Sequence, residues 1–205
     1  MSGASGLGPF DGVVGALGWS TNTAIFANRD YPNPGVLILN APTGSTTPGN
    51  SLNHMRLWND TNPATPGPFF SDTPMRMKWI LRRSFGSPTT YRVGFMDTVT
   101  GTPANGMYFE ARSGEWWAIQ RANSISVEID TGKVEANNWQ QLEIRRNSAT
   151  GATEFYINSL LKASENTNHP NVTLPLNLAI QLGGQGSVLI DYVSICLTGL
   201  QRNLP

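Results

Sequence analysis

The chain has 205 residues, enough for one large core, and its single cysteine, Cys196, excludes an intrachain disulfide and any multi-cysteine metal site. Its 14 Lys and Arg balance its 14 Asp and Glu, which argues against nucleic acid or an anionic membrane as the main partner. No apolar run reaches the ~20 residues of a membrane span.

Residues 1–12 are rich in Gly and Ser and are expected to form an extended arm, flexible unless an assembly pins it. The opening MSGASGLGPF has neither the basic start nor the apolar block of a signal peptide, so the chain is expected to be made in the cytoplasm without Sec export. Residues 13–205 are expected to form one β domain. Val13 to Phe26 reads as a first strand region broken by Gly15 and Gly18, and Gly35 to Asn40 as a short apolar strand. A Pro/Gly/Thr loop follows, and Ser51 to Trp58 reads as another strand. Asn59 to Pro74 is the longest irregular stretch and a candidate contact region.

From Pro74 the period-2 alternation is clean. Met75, Met77, Trp79 and Leu81 share one face against Arg76, Lys78 and Arg82. Tyr91, Val93 and Phe95 alternate with Arg92 and Gly94, and Met107, Phe109 and Ala111 with Tyr108, Glu110 and Arg112. Trp116 and Trp117 fall on opposite sides of one strand, so only one of them faces the core. Ile125, Val127 and Ile129 alternate with Ser126, Glu128 and Asp130. Trp139 to Ala163 reads as strand, polar turn, strand, tight turn: Gln140, Leu142 and Ile144 share one side, Phe155 and Ile157 repeat it, and Asn158-Ser159 turns the chain. Trp139 is out of step with Leu142 and caps the strand entry. Leu174 to Leu182 alternates, and Ser187 to Leu197 is apolar on both faces and is expected to be central or covered, with Cys196 a buried small hydrophobe. No stretch carries a long apolar stripe of helical period, so the expected fold is all-β, a two-sheet antiparallel sandwich.

Gly106 to Phe109, Trp116 to Arg121, Trp139, Leu142, Ile144, Phe155 to Asn158 and Ile190-Asp191-Tyr192-Val193 together resemble the concanavalin A-like (laminin G-like) jelly-roll domain, in the version found on bacteriophage capsid and tail surfaces. The resemblance spans about residues 74–197. It implies a jelly-roll sandwich placed on a virion, next to other capsid or tail subunits, in a homo-oligomer or multi-copy assembly. The Asp-Gly turn usual in the last hairpin is Asn158-Ser159 here, a less ideal pair for a two-residue turn.

Sugar sites pair an aromatic face with hydrogen-bonding side chains. Tyr108, Arg112, Trp116, Gln120 and Glu128 are the candidate glycan-binding residues, taken as the polar face of adjacent strands; Trp58 is a lonelier candidate. Glu128 and Asp130 begin the paired-carboxylate pattern of jelly-roll glycoside hydrolases, but the third acid position is Lys133 and Glu135 is out of step. No catalytic residue, metal ligand set or cofactor site is assigned. Asp60 with Asn59 and Asn62, or Asp97, could contribute to a calcium site, but no Asp-rich loop of the usual spacing exists. His54 and His169 read as loop residues. The expectation is a non-enzymatic virion surface protein serving decoration, stabilisation or glycan adhesion. A free carbohydrate-binding lectin is the alternative, and a glycoside hydrolase is disfavoured by Lys133.

Overall fold

The structure is a computed structural model; it describes residues 19–21, 26–27, 37–41, 53–57, 74–86, 90–98, 101–135, 137–147, 149–170, 176–184 and 186–197. The N-terminal arm and the Pro-rich stretch 59–73 lie outside these residues, as do Trp58, Asn59, Asp60 and Asn62. Every regular element among the described residues is a strand. They are β1 (Trp19–Thr21), β2 (Phe26–Ala27), β3 (Leu37–Ala41), β4 (Asn53–Leu57), β5 (Met75–Gly86), β6 (Thr90–Met96) and β7 (Gly106–Arg112). After them come β8 (Glu115–Ala122), β9 (Ile125–Val134), β10 (Gln140–Arg146), β11 (Thr153–Ile157), β12 (Leu160–Glu165), β13 (Asn177–Gly183) and β14 (Gly186–Leu197).

Two antiparallel sheets stack. The first runs β1-β4-β13-β6-β7-β8-β9 and the second β12-β11-β10-β5-β14-β3-β2. The alternation explains the stacking: each strand buries one face, and the two buried faces close one core. Met77, Trp79 and Leu81 of β5, Leu142 and Ile144 of β10 and Phe155 and Ile157 of β11 come from the second sheet. The first sheet answers with Val93 and Phe95 of β6, Met107 and Phe109 of β7 and the alternating Leu178, Ile180 and Leu182 of β13. The Phe109 and Phe155 rings meet edge-to-face across the sandwich at 5.3 Å. Each such side chain contributes about 1.5–3 kcal/mol by leaving water.

The meander forms as the alternation predicts, with Leu142 opposite Ile157 and Ile144 opposite Phe155. The guanidinium of Arg82 lies 5.1 Å from the Trp139 ring centroid at the strand entry. Asn158 and Ser159 both adopt positive φ, 51° and 66°, the conformation of a two-residue hairpin turn joining Ile157 to Leu160. Asn158 fits because its Oδ1 accepts from the Gln141 N–H at 2.9 Å. Ser159 has no such compensation beyond a contact of its Oγ with Gln141 Nε2 at 3.1 Å. Relieving the left-handed strain outweighs one exposed hydrogen bond, so Ser159→Gly is expected to stabilise the fold by about 0.5–1 kcal/mol, read as a raised denaturant midpoint with unchanged slope.

The second sheet's outer face is a charged lattice. Glu143 is fully buried between Arg76 and Arg145, and the Arg145 guanidinium sits 4.0 Å from the Tyr156 ring centroid. Burial pushes the Glu143 carboxyl up, but hydrogen bonds from Arg145 and Arg76 more than offset this and hold it below the ordinary carboxylate value. A depressed folded-state value means stability that is complete above the unfolded pKa of about 4.3 and is lost as pH falls through the folded one. Glu143→Gln is therefore expected to cost about 1–3 kcal/mol at pH 7 and to flatten the acid limb of a melting-temperature-against-pH curve.

Two expectations are corrected. β14 is central, between β5 and β3, but Cys196 is exposed. An irregularity between Ile190 and Tyr192 inserts one residue and reverses the parity. Val188 and Ile190 point inward before it and Val193 and Ile195 pack on the core after it, which leaves Cys196 outside. His54 falls within strand β4 and not in a loop.

Candidate functional site

The first sheet's outer face carries a continuous polar ladder. The register aligns Gln181 of β13, Arg92 of β6, Glu110 of β7, Trp117 of β8 and Asp130 of β9 in one row across the sheet. Arg92 donates from Nη1 to Gln181 Oε1 at 3.1 Å and from Nε to Glu110 Oε2 at 2.6 Å. Arg112 donates from Nε to the other Glu110 oxygen at 2.6 Å. It also forks onto Glu128, with Nη1 to Oε2 at 2.5 Å and Nη2 to Oε1 at 3.2 Å. Ser126 Oγ donates to Glu128 Oε1 at 2.9 Å. The ladder rises from the closed interior to solvent: the Arg92 and Glu110 side chains are 11% and 13% exposed, Arg112 and Glu128 35% and 34%.

Trp117 is the aromatic of this face, half-buried, with the Arg112 guanidinium 5.6 Å from its ring centroid. Beneath lies a second, smaller apolar cluster of Met96, Tyr108, Ile119 and Ala179, all fully buried although they point away from the main core. Asp97 accepts from the backbone N–H groups of Ala104 and Asn105 at 3.1 and 2.8 Å, and Gln181 Nε2 donates to the carbonyls of Thr98 and Gly101 at 3.0 and 3.1 Å.

Electrostatically the pair at the open end is locked. The hydrogen bond from Arg112 is the main reason the Glu128 carboxyl lies below its ordinary range, and the same bond raises Arg112. Glu128 is thus a fixed anion at neutral pH and a poor proton donor. Burial pushes the Tyr108 hydroxyl up.

Of the predicted glycan residues, Arg112 and Glu128 stand together at the exposed end of this face. Tyr108 shares the face but is sealed under it. Trp116 and Gln120 are corrections, because both point into the sandwich. Trp116 has no exposed surface, meets Tyr91 edge-on at 4.9 Å and donates from Nε1 to Gln140 Oε1 at 2.9 Å. Gln120 is buried with Nε2 3.1 Å from His169 Nδ1. The cause is the tight turn Ser113-Gly114, with φ of 51° and 82°, which sets Arg112 opposite Glu115. That register places Ala118 opposite the core residue Phe109, so Trp116 goes inward with it and Trp117 outward. Reading those two residues as a turn would have assigned Trp117 from the sequence. Arg92, Glu110 and Gln181 were missed as well, and nothing local marks them, since Gln181 is 89 positions from Arg92.

Both Asp97 oxygens are engaged by N–H donors, which removes that residue from the calcium reading. Among the described residues no group of three or more His, Cys, Asp or Glu is close enough to hold a metal ion. Asp130 Oδ1 accepts from the Gly132 N–H at 2.8 Å within β9, where the register shifts between Trp116 and Trp117, and Lys133 stands opposite Trp116 on β8.

No protein-family model matches this chain, and no curated protein matches it in sequence. Solved structures do match in fold. The alginate lyase A1-II′ of polysaccharide lyase family 7 superposes with a TM-score of 0.57 at 16% identity, over 88% of this chain and 86% of that one. The carbohydrate-binding module CBM66 from Bacillus subtilis gives 0.53 at 10% identity, over 87% and 94%. The potassium-bound carbohydrate recognition domain of Emp46p gives 0.58 at 10% identity, over 86% and 87%. Nothing in these likenesses points to a virion. At such identities they speak for architecture, and with the two-sheet topology they show that this chain has the concanavalin A-like jelly-roll fold.

Proposed function

We propose that this protein is a lectin-like carbohydrate-binding module whose contact surface is the exposed end of the first sheet's outer face. The observation that carries the reading is Trp117 set beside the bidentate Arg112–Glu128 pair. An indole face stacks on sugar C–H groups, while a pre-paired guanidinium and carboxylate offer fixed donors and acceptors to hydroxyls without ordering cost. The fold is shared with a carbohydrate-binding module and a carbohydrate recognition domain, which supports the same reading.

Binding is favoured over turnover by the state of the acids. Glu128 is held ionised by Arg112, which makes it a poor candidate for the protonated acid that a glycosidase needs. The test is native electrophoresis in gels cast with soluble polysaccharides, beside a reducing-end assay on the same polymers. Retardation that Trp117→Ala abolishes, with no release of ends, supports the module. Release of ends that Glu128→Gln abolishes would replace it with an enzyme.

Display of the module on a phage capsid or tail, held by contacts of residues 1–12 and 59–74 with other virion subunits, is carried by the sequence resemblance alone. A free lectin accounts for the face equally well. Sedimentation of the native protein with particles decides between them.

A further inference from the structure

We propose that Arg121 and the Tyr108 hydroxyl form a subsite for the carboxylate of an acidic sugar, a proposal that rests on the carbohydrate-binding reading above and names its ligand class. It comes from the one cation that the charge network of the face leaves over. The outward arginines of β6 to β8 are Arg92, Arg112 and Arg121. Arg92 is taken by Glu110 and Gln181, and Arg112 by Glu110 and, through its fork, Glu128. The nearby acids are engaged in the same way. Glu110 holds both of those arginines, Glu128 holds Arg112 and the Ser126 hydroxyl, and Asp97 holds the N–H groups of Ala104 and Asn105. Arg121 stands between Gly106 on β7 and Ser126 on β9. Among the described residues it has no hydrogen-bond or ion-pair partner, and its Nε is closed to solvent without an acceptor.

A second unpartnered atom lies at the same place. A Cβ at Gly106 would lie 3.0 Å from Tyr108 Cδ1 and 3.2 Å from Cε1, so the Tyr108 ring leans back over Gly106 and carries its hydroxyl toward the row of Arg121. That hydroxyl is fully buried and has no hydrogen-bond partner. Burial pushes it up, and Arg92 and Arg121 pull it partly back. A guanidinium N–H and a phenol O–H, both donors, thus converge where no acceptor stands. A bridging water satisfies the two donors but leaves Arg121 as the one outward arginine of these strands without a counter-ion. A carboxylate supplies both needs, since its planar oxygens match the guanidinium fork and its charge pairs the cation. Arg121 is the half-buried member of the two, so its side chain swings to admit the carboxylate and the hydroxyl donates from beneath. Trp117 lies four residues back on the same face of β8, about 13 Å away at about 3.3 Å per residue. The acidic residue and the sugar stacked on the indole are therefore different units of one chain.

The test uses the intact protein in native gels containing, separately, alginate, polygalacturonate, a neutral glucan and dextran sulfate. The wild type is expected to be retarded by at least one polyuronate, more weakly at ~0.5 M than at ~0.05 M salt. Arg121→Gln is expected to lose about five- to tenfold in apparent affinity for that polyuronate. Arg121→Lys, which keeps the charge without the fork, is expected to lose about two- to threefold. Lys78→Gln removes a cation from the other sheet's outer face and is the charge-matched control, expected to bind like the wild type. Tyr108→Phe is expected to lose about two- to fivefold while its melting temperature without ligand stays level or rises, because the hydroxyl has no hydrogen bond to lose. Thermal melts verify that the other variants are folded. Retardation of the wild type by the neutral glucan alone overturns the subsite and leaves carbohydrate binding standing. Retardation by dextran sulfate as strong as by the polyuronate, or a Lys78→Gln loss equal to that of Arg121→Gln, reduces the effect to general charge attraction and overturns the subsite likewise. A folded Arg121→Gln that binds polyuronate like the wild type, or a Tyr108→Phe that melts lower, overturns the assignment to these two residues. Retardation in no gel overturns both readings.

Discussion

Trp116→Ala is expected to destabilise the protein by about 3–5 kcal/mol, while Trp117→Ala costs about 1–2 kcal/mol and removes carbohydrate binding instead. The two residues are adjacent in sequence, and a strand turns them to opposite faces. Trp116 has no exposed surface and closes one end of the core, edge-on to Tyr91 at 4.9 Å and to Phe109 at 6.1 Å. Its truncation leaves a cavity between the two sheets and removes the hydrogen bond from Trp116 Nε1 to Gln140 Oε1. At about 2–4 °C per kcal/mol for a chain of this size, the melting temperature falls by roughly 6–20 °C. Trp117 is half-buried, and its truncation loses the packing on the smaller cluster and the contact with the Arg112 guanidinium. Circular dichroism melts and polysaccharide-gel retardation, run on both variants, read the two quantities separately. A Trp117→Ala variant that melts like Trp116→Ala while binding normally would reverse the assignment of the two faces.

Gly94→Ala is expected to be as damaging as losing a core ring, about 3–5 kcal/mol, although it adds a single methyl group. Gly94 lies in the middle of β6, at φ +151°, opposite Tyr108 in the register. A Cβ there would sit 2.5 Å from the Met107 carbonyl oxygen, 2.6 Å from Tyr108 Cα and 2.8 Å from Tyr108 Cβ. None of these atoms can rotate away, because each belongs to the neighbouring strand's backbone or is fixed to it. The entropy gained by replacing a glycine, about 0.4–1 kcal/mol, is far too small to compensate. The strand would have to part from β7 at Tyr108, between the row that holds Arg92 and Glu110 and the covered cluster. Gly101→Ala is the control, since a Cβ there meets nothing within 4 Å and its melt should match the wild type within about 0.5 kcal/mol.

The polar ladder explains why a face so rich in charge is compatible with stable packing. Its members form a chain in which each guanidinium bridges two acceptors, so no buried charge stands alone. The cost of burying Gln181 is met in the same way, by Arg92 and by the carbonyls of Thr98 and Gly101. A ladder already held in place suits recognition, since its geometry exists before the ligand arrives.

Period-2 alternation alone determined the all-β architecture, the inward faces of β5, β6, β7, β10, β11 and β13, and the meander from Trp139 to Ala163, because burial of one strand face leaves a local signature every second residue. Arg112 and Glu128 were legible as outward residues for the same reason. Three things were decided only by the tertiary structure. The choice between Trp116 and Trp117 depended on the register set by the Ser113-Gly114 turn, and parity carries no absolute sign until a register is known. The exposure of Cys196 depended on one inserted residue beside Tyr192, which periodicity does not anticipate. The burial of Tyr108 and the joining of Gln181, Arg92, Glu110, Arg112 and Glu128 into one ladder depended on strands distant in the chain lying side by side. Strand pairing is a non-local choice, settled by the packing of two whole sheets, and so it leaves no mark in any single stretch of sequence.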